Sequence, residues 1–107
     1  MAIHTIKVTL AADNTAQAIA PAGTAKAKNV LMGRIYPSDA NTVGANGPAR
    51  YGDSTTDRTA GAIGVPLLPG IVTELMPGGG GAAVHDLTQT YISGKLGDVF
   101  NVIWWNL

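Results

Sequence analysis

His4 and His85 are the only histidines of this chain, and Asp86 directly follows His85. An imidazole beside a carboxylate is half of a nucleophilic relay, for which Ser54 or Ser93 would supply the hydroxyl. Neighbours in sequence point in different directions, however, and no G-x-S-x-G elbow is present. The favoured reading is Asp86 capping a short turn. Asp53 and Asp57 flank a Ser-Thr-Thr run in GDSTTD, a grouping of oxygens that suits calcium. The alternate ligand positions, the sixth-position Gly and the twelfth-position Glu of an EF-hand loop are missing, so the segment reads as a turn tied by side chain to backbone hydrogen bonds. Glu74 is the only glutamate, which leaves a glycosidase-like carboxylate pair without an identifiable second member. Four consecutive glycines, residues 78–81, precede Ala82, Ala83 and Val84 rather than the Lys and Ser/Thr of a phosphate loop, and read as a loop. With no cysteine and no histidine spacing suited to zinc, the chain is expected to be neither an enzyme nor the holder of a cofactor or metal.

Binding is better represented. Trp104, Trp105, Asn106 and Leu107 end the chain. On a strand, adjacent side chains face opposite ways, so one ring enters the core and the other is offered outward as an interface anchor, unless a second layer buries both. Trp104, Trp105 and Leu107, together with Tyr51 and Arg50 on a short apolar strand, are the candidate interface residues.

Composition narrows the partners. The chain has 107 residues, the size of one domain, with 7 Lys+Arg against 7 Asp+Glu. Zero net charge disfavours nucleic acid and an anionic membrane surface as partners. Charged residues make up only 13% of the chain, about half the usual share, which favours an oligomer or an assembly component. The charge is unevenly placed: residues 1–36 carry +3 and residues 37–107 carry −3, a division that suits complementary patches between copies. The N-terminus lacks the basic stretch and apolar run of a signal peptide, and the longest uncharged run, residues 59–73, is broken by glycines and prolines and cannot span a membrane as a helix.

These residues are expected on short strands of a single β domain covering residues 1–107, in which residues 1–28 form an N-terminal arm plus edge strand. Residues 3–10 alternate apolar and polar side chains with a period of two. A turn at Asp13 and Asn14 follows, then a short strand over residues 17–20, because Pro21 and Gly23 interrupt the Ala-rich stretch before a helix can form. Residues 29–36 read as a central strand. Asn46-Gly47 marks a tight turn, residues 49–51 a short strand, residues 64–69 a brief apolar segment and residues 71–76 another strand. Residues 85–88 are expected as one helical turn, residues 90–93 as a strand, and residues 98–105 as a last strand that is apolar on both faces, hence central in a sandwich or covered by another subunit. Short strands separated by turn signals indicate an all-β fold, a small sandwich or barrel with long Gly/Pro-rich loops.

Gly52-Asp53-Ser54, the run from Gly64 through Pro66, Leu67 and Pro69 to Gly70, Asp86-Leu87 with Tyr91-Ile92, and the Val-rich end beginning at Gly97 resemble a group of small tailed-bacteriophage virion proteins. The resemblance covers about two thirds of the chain and departs from the family outline at residues 43–48 and 78–81. It implies a β-sandwich cement protein that decorates the outer surface of the head, binds the major capsid protein and associates with copies of itself as a dimer or trimer. Loops extended at the two points of departure would serve such a protein in reaching a neighbouring subunit. The alternative is a tail-tip or fibre-associated module that binds a receptor or glycan through aromatic platforms.

Overall fold

The structure, a computed structural model, describes residues 2–59, 62–75 and 85–106. Among the described residues eight strands follow one another: β1 (Ala2–Thr9), β2 (Gln17–Ala18), β3 (Val30–Pro37), β4 (Ala49–Gly52), β5 (Val65–Leu67), β6 (Thr73–Glu74), β7 (Tyr91–Ser93) and β8 (Val99–Asn106). They form two four-stranded antiparallel sheets, ordered β1-β8-β3-β6 and β2-β7-β4-β5, which make a small β-sandwich. Among the described residues the only helical element is a single 3-10 turn, Ala25–Ala27, and no helix is long and apolar enough to cross a membrane.

Alternation decides which side chains fill the space between the sheets. In β1, Ile6 and Val8 face inward while Thr5, Lys7 and Thr9 face out; in β8, Phe100, Val102 and Trp104 are buried. Ile35 of β3 and Tyr51, Leu67 and Ile92 of the second sheet meet them in one core, which Leu10, Ile19 and Leu87 close from the connections. β8 is central, between β1 and β3, as its apolar character on both faces requires.

Some expected elements are shorter than the sequence pattern suggests. The strand expected over residues 17–20 is reduced to Gln17–Ala18, and the one expected over residues 71–76 to Thr73–Glu74; Met76 lies outside the described residues. The helical turn expected over residues 85–88 is absent. His85 instead forms an extended bridge with Val30, N–H to carbonyl in both directions (2.9 and 2.8 Å), and Asp86 Oδ1 accepts from the Thr88 N–H and hydroxyl. A backbone committed to a β bridge at its first residue cannot begin a helix there, and the Asp carboxylate stabilises the competing turn.

Candidate functional site

The outer face of the sheet β1-β8-β3-β6 gathers the most prominent exposed apolar side chains of any strand surface in the fold. Register sets them in rows across the strands. Ile3, Trp105 and Met32 form one row; Thr5, Ile103, Arg34 and Glu74 form the next; Lys7, Asn101 and Tyr36 form the third. Ile3 and Met32 are 64% and 56% exposed, and Trp105 is half-buried between them. Such a row forms an exposed apolar strip on the strand face, which makes it the candidate contact surface.

Arg34 organises its middle. Its guanidinium lies 5.9 Å from the Trp105 ring centroid, and its Nε donates to Glu74 Oε1 at 3.4 Å. A cation near an indole ring and a carboxylate beside it bring Trp105, Arg34 and Glu74 together on this face. Beside Trp105, a cleft of about 170 Å³ lies between β3 and β6, lined by Leu31, Met32, Gly33, Glu74, Leu75 and Trp105. Gly33 faces inward, where a β-carbon would stand 2.6 Å from Cδ1 of the buried Leu75 and 3.3 Å from Trp104 Cβ, so a glycine is needed there for the core to close.

The two tryptophans divide as strand geometry demands. Trp104 is fully buried, its Nε1 donates to the Lys26 carbonyl at 2.8 Å, and its ring meets that of His4 at 5.6 Å between centroids. It therefore belongs to the core and not to an interface. Asn106 Nδ2 donates to the same Lys26 carbonyl at 2.7 Å and locks the end of β8. Tyr51, also a candidate interface residue, is a core residue whose hydroxyl donates to the Glu74 carbonyl at 3.2 Å. That bond joins the two sheets, since Tyr51 is on β4 and Glu74 on β6. Arg50 is half-buried on the other sheet, where Nη1 donates to the Gly64 carbonyl at 2.7 Å, so it does not share a face with Trp105. Leu107 and the glycines at 78–81 lie outside the described residues.

Several of the residues considered for catalysis and metal binding are engaged in structure, whereas Ser54 is exposed. Ser93 Oγ is fully buried and accepts from the Arg58 N–H, and Asp86 Oδ1 is occupied by Thr88. His85 Nε2 is buried with no hydrogen-bond partner among the described residues. Asp53 and Asp57 each fold back on the threonine two residues later: Asp53 Oδ1 accepts from the Thr55 N–H and hydroxyl at 2.8 and 2.6 Å, and Asp57 Oδ1 from those of Thr59 at 2.8 and 2.7 Å. The hydroxyl of Thr55, and then its N–H, hold the Asp53 carboxyl below its ordinary value of 3.8. Among the described residues no group of three or more His, Cys, Asp or Glu side chains could hold a metal ion.

Ile3, Met32 and Arg34 escaped the sequence reading, and Glu74 entered it only as a carboxylate without a second member. The outward alternation of β1 was a signal for Ile3, but the salt bridge of Arg34 with Glu74 spans 40 residues and has no local signature. The Asp-x-Thr triplet recurs at Asp13, Asp53, Asp57 and Asp86; the last three form the same turn, whereas Asp13 Oδ1 accepts from the Leu96 N–H. Comparison with protein-family models, with curated proteins and with solved structures finds no match.

Proposed function

We propose that this chain is a structural component of a virion, a cement protein that sits on the outer surface of a phage head and stabilises the shell. The observation that carries the reading is the open face around Trp105, an apolar row with an organised charged neighbour on a rigid sheet. The resemblance of residues 35–102 to small virion proteins supplies the setting. A protein of this kind needs no reaction. It binds across junctions of capsid subunits and so favours the joined shell over the separated one by mass action, and repeated weak contacts on a lattice add through multivalency. Uneven charge along a neutral chain suits patchwise contact with a protein partner rather than with nucleic acid.

Purified protein is expected to rebind capsids stripped of decoration and to raise their melting temperature, with Trp105→Ala weakening both effects. Absence of binding at micromolar protein overturns the proposal.

A further inference from the structure

Strand β1 ends its sheet, and its last contacts fix the direction of its backbone groups. Leu10, which follows it, donates to the Asp98 carbonyl and accepts from the Gly97 N–H, both at 2.9 Å, so it faces β8. Peptide groups alternate in direction along an antiparallel strand. His4, Ile6 and Val8 therefore also bond β8, while Ile3, Thr5, Lys7 and Thr9 turn N–H and carbonyl toward the open edge. At Thr9 and Ala11 that edge is capped. Gln17 Nε2 donates to the Thr9 carbonyl at 3.1 Å and its Oε1 accepts from the Ala11 N–H at 3.0 Å, so a side-chain amide stands where the next strand would be. Among the described residues nothing bonds the edge groups of Ile3, Thr5 and Lys7.

Cover is missing along the same half. Beside the Gln17 cap the inward side chains of Val8 and Leu10 are 4% and 1% exposed, whereas His4 and Ile6, inward too, are only half-buried. An open cleft of about 470 Å³ separates this edge from that of the second sheet, with Ile6 and Val8 on one wall and Ala18 and Ile19 on the other. Unpaired edge groups beside a half-covered apolar side chain are what an added strand binds.

The free groups are complementary to themselves. When two copies of β1 lie antiparallel with Thr5 opposite Thr5, Ile3 of each meets Lys7 of the other, and every free N–H and carbonyl of the three residues is paired. Other registers fail. One centred on Ile6 sets Ile3 against Thr9, whose carbonyl Gln17 already holds; one centred on Lys7 opposes like charges; one centred on His4 leaves Lys7 beyond the end of the partner strand. On the inner side the Thr5 register sets each Ile6 against the other copy's His4, so the two half-buried side chains cover one another.

We infer that the open edge of β1 pairs with β1 of a second copy, antiparallel about Thr5, and joins the sheets β1-β8-β3-β6 of the two copies into one continuous sheet. The twofold axis stands perpendicular to that sheet, so the faces around Trp105 lie on the same side and both stay open. The inference rests on the self-association within the function proposed above and leaves the Trp105 face to the capsid.

Sedimentation equilibrium of the free full-length protein tests it, so that a failure to dimerise and a failure to rebind capsids are separate results. Wild type is expected to be dimeric at hundreds of micromolar, with amide exchange at Ile3, Thr5 and Lys7 slowing as concentration rises. Thr5→Pro removes the central N–H, which points away from β8. It is expected to abolish the dimer and leave the far-ultraviolet circular dichroism of wild type, since proline is tolerated on an edge strand. Cysteine reads the register, because the chain has none of its own. Paired Thr5 Cα atoms stand about 5.5 Å apart, within disulfide reach, whereas Thr9 Cα atoms stand roughly 27 Å apart. Thr5→Cys is expected to give a disulfide-linked dimer under mild oxidation and Thr9→Cys is not. A wild type monomeric at hundreds of micromolar, a closed trimer, a Thr5→Pro protein that still dimerises, or equal cross-linking at the two positions each overturns the inference. Should Thr5→Pro disturb the fold, the two cysteine variants decide the matter alone.

Discussion

The outer faces of the two sheets differ in how they are covered. Sheet β2-β7-β4-β5 is built from strands of two to four residues, and part of its outer face lies beneath the chain itself. Ser93 points outward from β7, opposite Arg50 of β4, yet it is fully buried. Arg58 lies over it: its N–H bonds Ser93 Oγ, its Nε bonds Asn14 Oδ1 and its Nη1 reaches the Gly47 carbonyl at 3.5 Å, which ties three connections together. Sheet β1-β8-β3-β6 contains three eight-residue strands, and its outer face leaves Ile3 and Met32 exposed. Long ladders hold themselves, and among the described residues Ile3 and Met32 stay exposed on that face. Short strands need loops and side chain to backbone bonds to stay in place, and those loops occupy the surface.

The contrast can be broken at several points, with effects of decreasing size. Trp104→Ala removes the largest side chain shared by the core of both sheets and is expected to cost about 3–5 kcal/mol in chemical denaturation. Both sheets should lose hydrogen-exchange protection together, and retention of the short-strand sheet's protection would show that the sheets are separate units. Arg58→Ala is expected to cost about 2 kcal/mol, because the half-buried acceptors Asn14 Oδ1 and the Gly47 carbonyl lose their charged donor, while the backbone N–H bond to Ser93 Oγ remains. Here exchange should rise in β7 and β4 while β8 stays protected. An equal rise in β8 would contradict the division drawn between the faces.

Asp86→Ala removes the acceptor of the turn before β7 and is expected to cost about 1 kcal/mol, read as faster exchange at β2 and β7. The smallest effect is expected at Asp53, which is solvent-exposed. Its folded carboxyl is held below the ordinary 3.8 by Thr55, so the stabilisation is present above that value and is lost as the pH falls through the lower folded value. Below about pH 3.8, wild type should therefore lose stability more steeply than Asp53→Ala. Parallel acid-denaturation curves for the two proteins would show that the turn contributes nothing through this carboxylate.

Much of the frame was legible in residue order. Alternation in residues 3–10 marked β1 because period-two patterning is a local property of a half-buried strand, and apolar side chains on both faces of residues 98–105 marked β8 as central or covered. Proline and glycine correctly limited the Ala-rich stretch, where helix propensity alone would mislead. The turn chemistry of GDSTTD and of Asp86 was also readable, since an Asp bonding two residues ahead needs no distant partner. What stayed hidden depends on contacts distant in sequence. The helical turn expected at His85 lost to a bridge with Val30, 55 positions away, and β6 shrank to the two residues that pair with Arg34 and Ile35.

The sequence alone determined that two adjacent tryptophans must face opposite sides of their strand, so that only one can enter a given core, because a strand alternates. Tertiary structure decided which. β8 runs between β1 and β3 with Phe100, Val102 and Trp104 toward the second sheet, and the Lys26 carbonyl waits where the buried indole needs an acceptor. The same packing took Tyr51 from the candidate surface into the core and placed Ile3, Met32, Arg34 and Glu74 around Trp105. Residue order encodes faces; which strands lie side by side, and so which residues share a face, follows only from the closing of both sheets over one core.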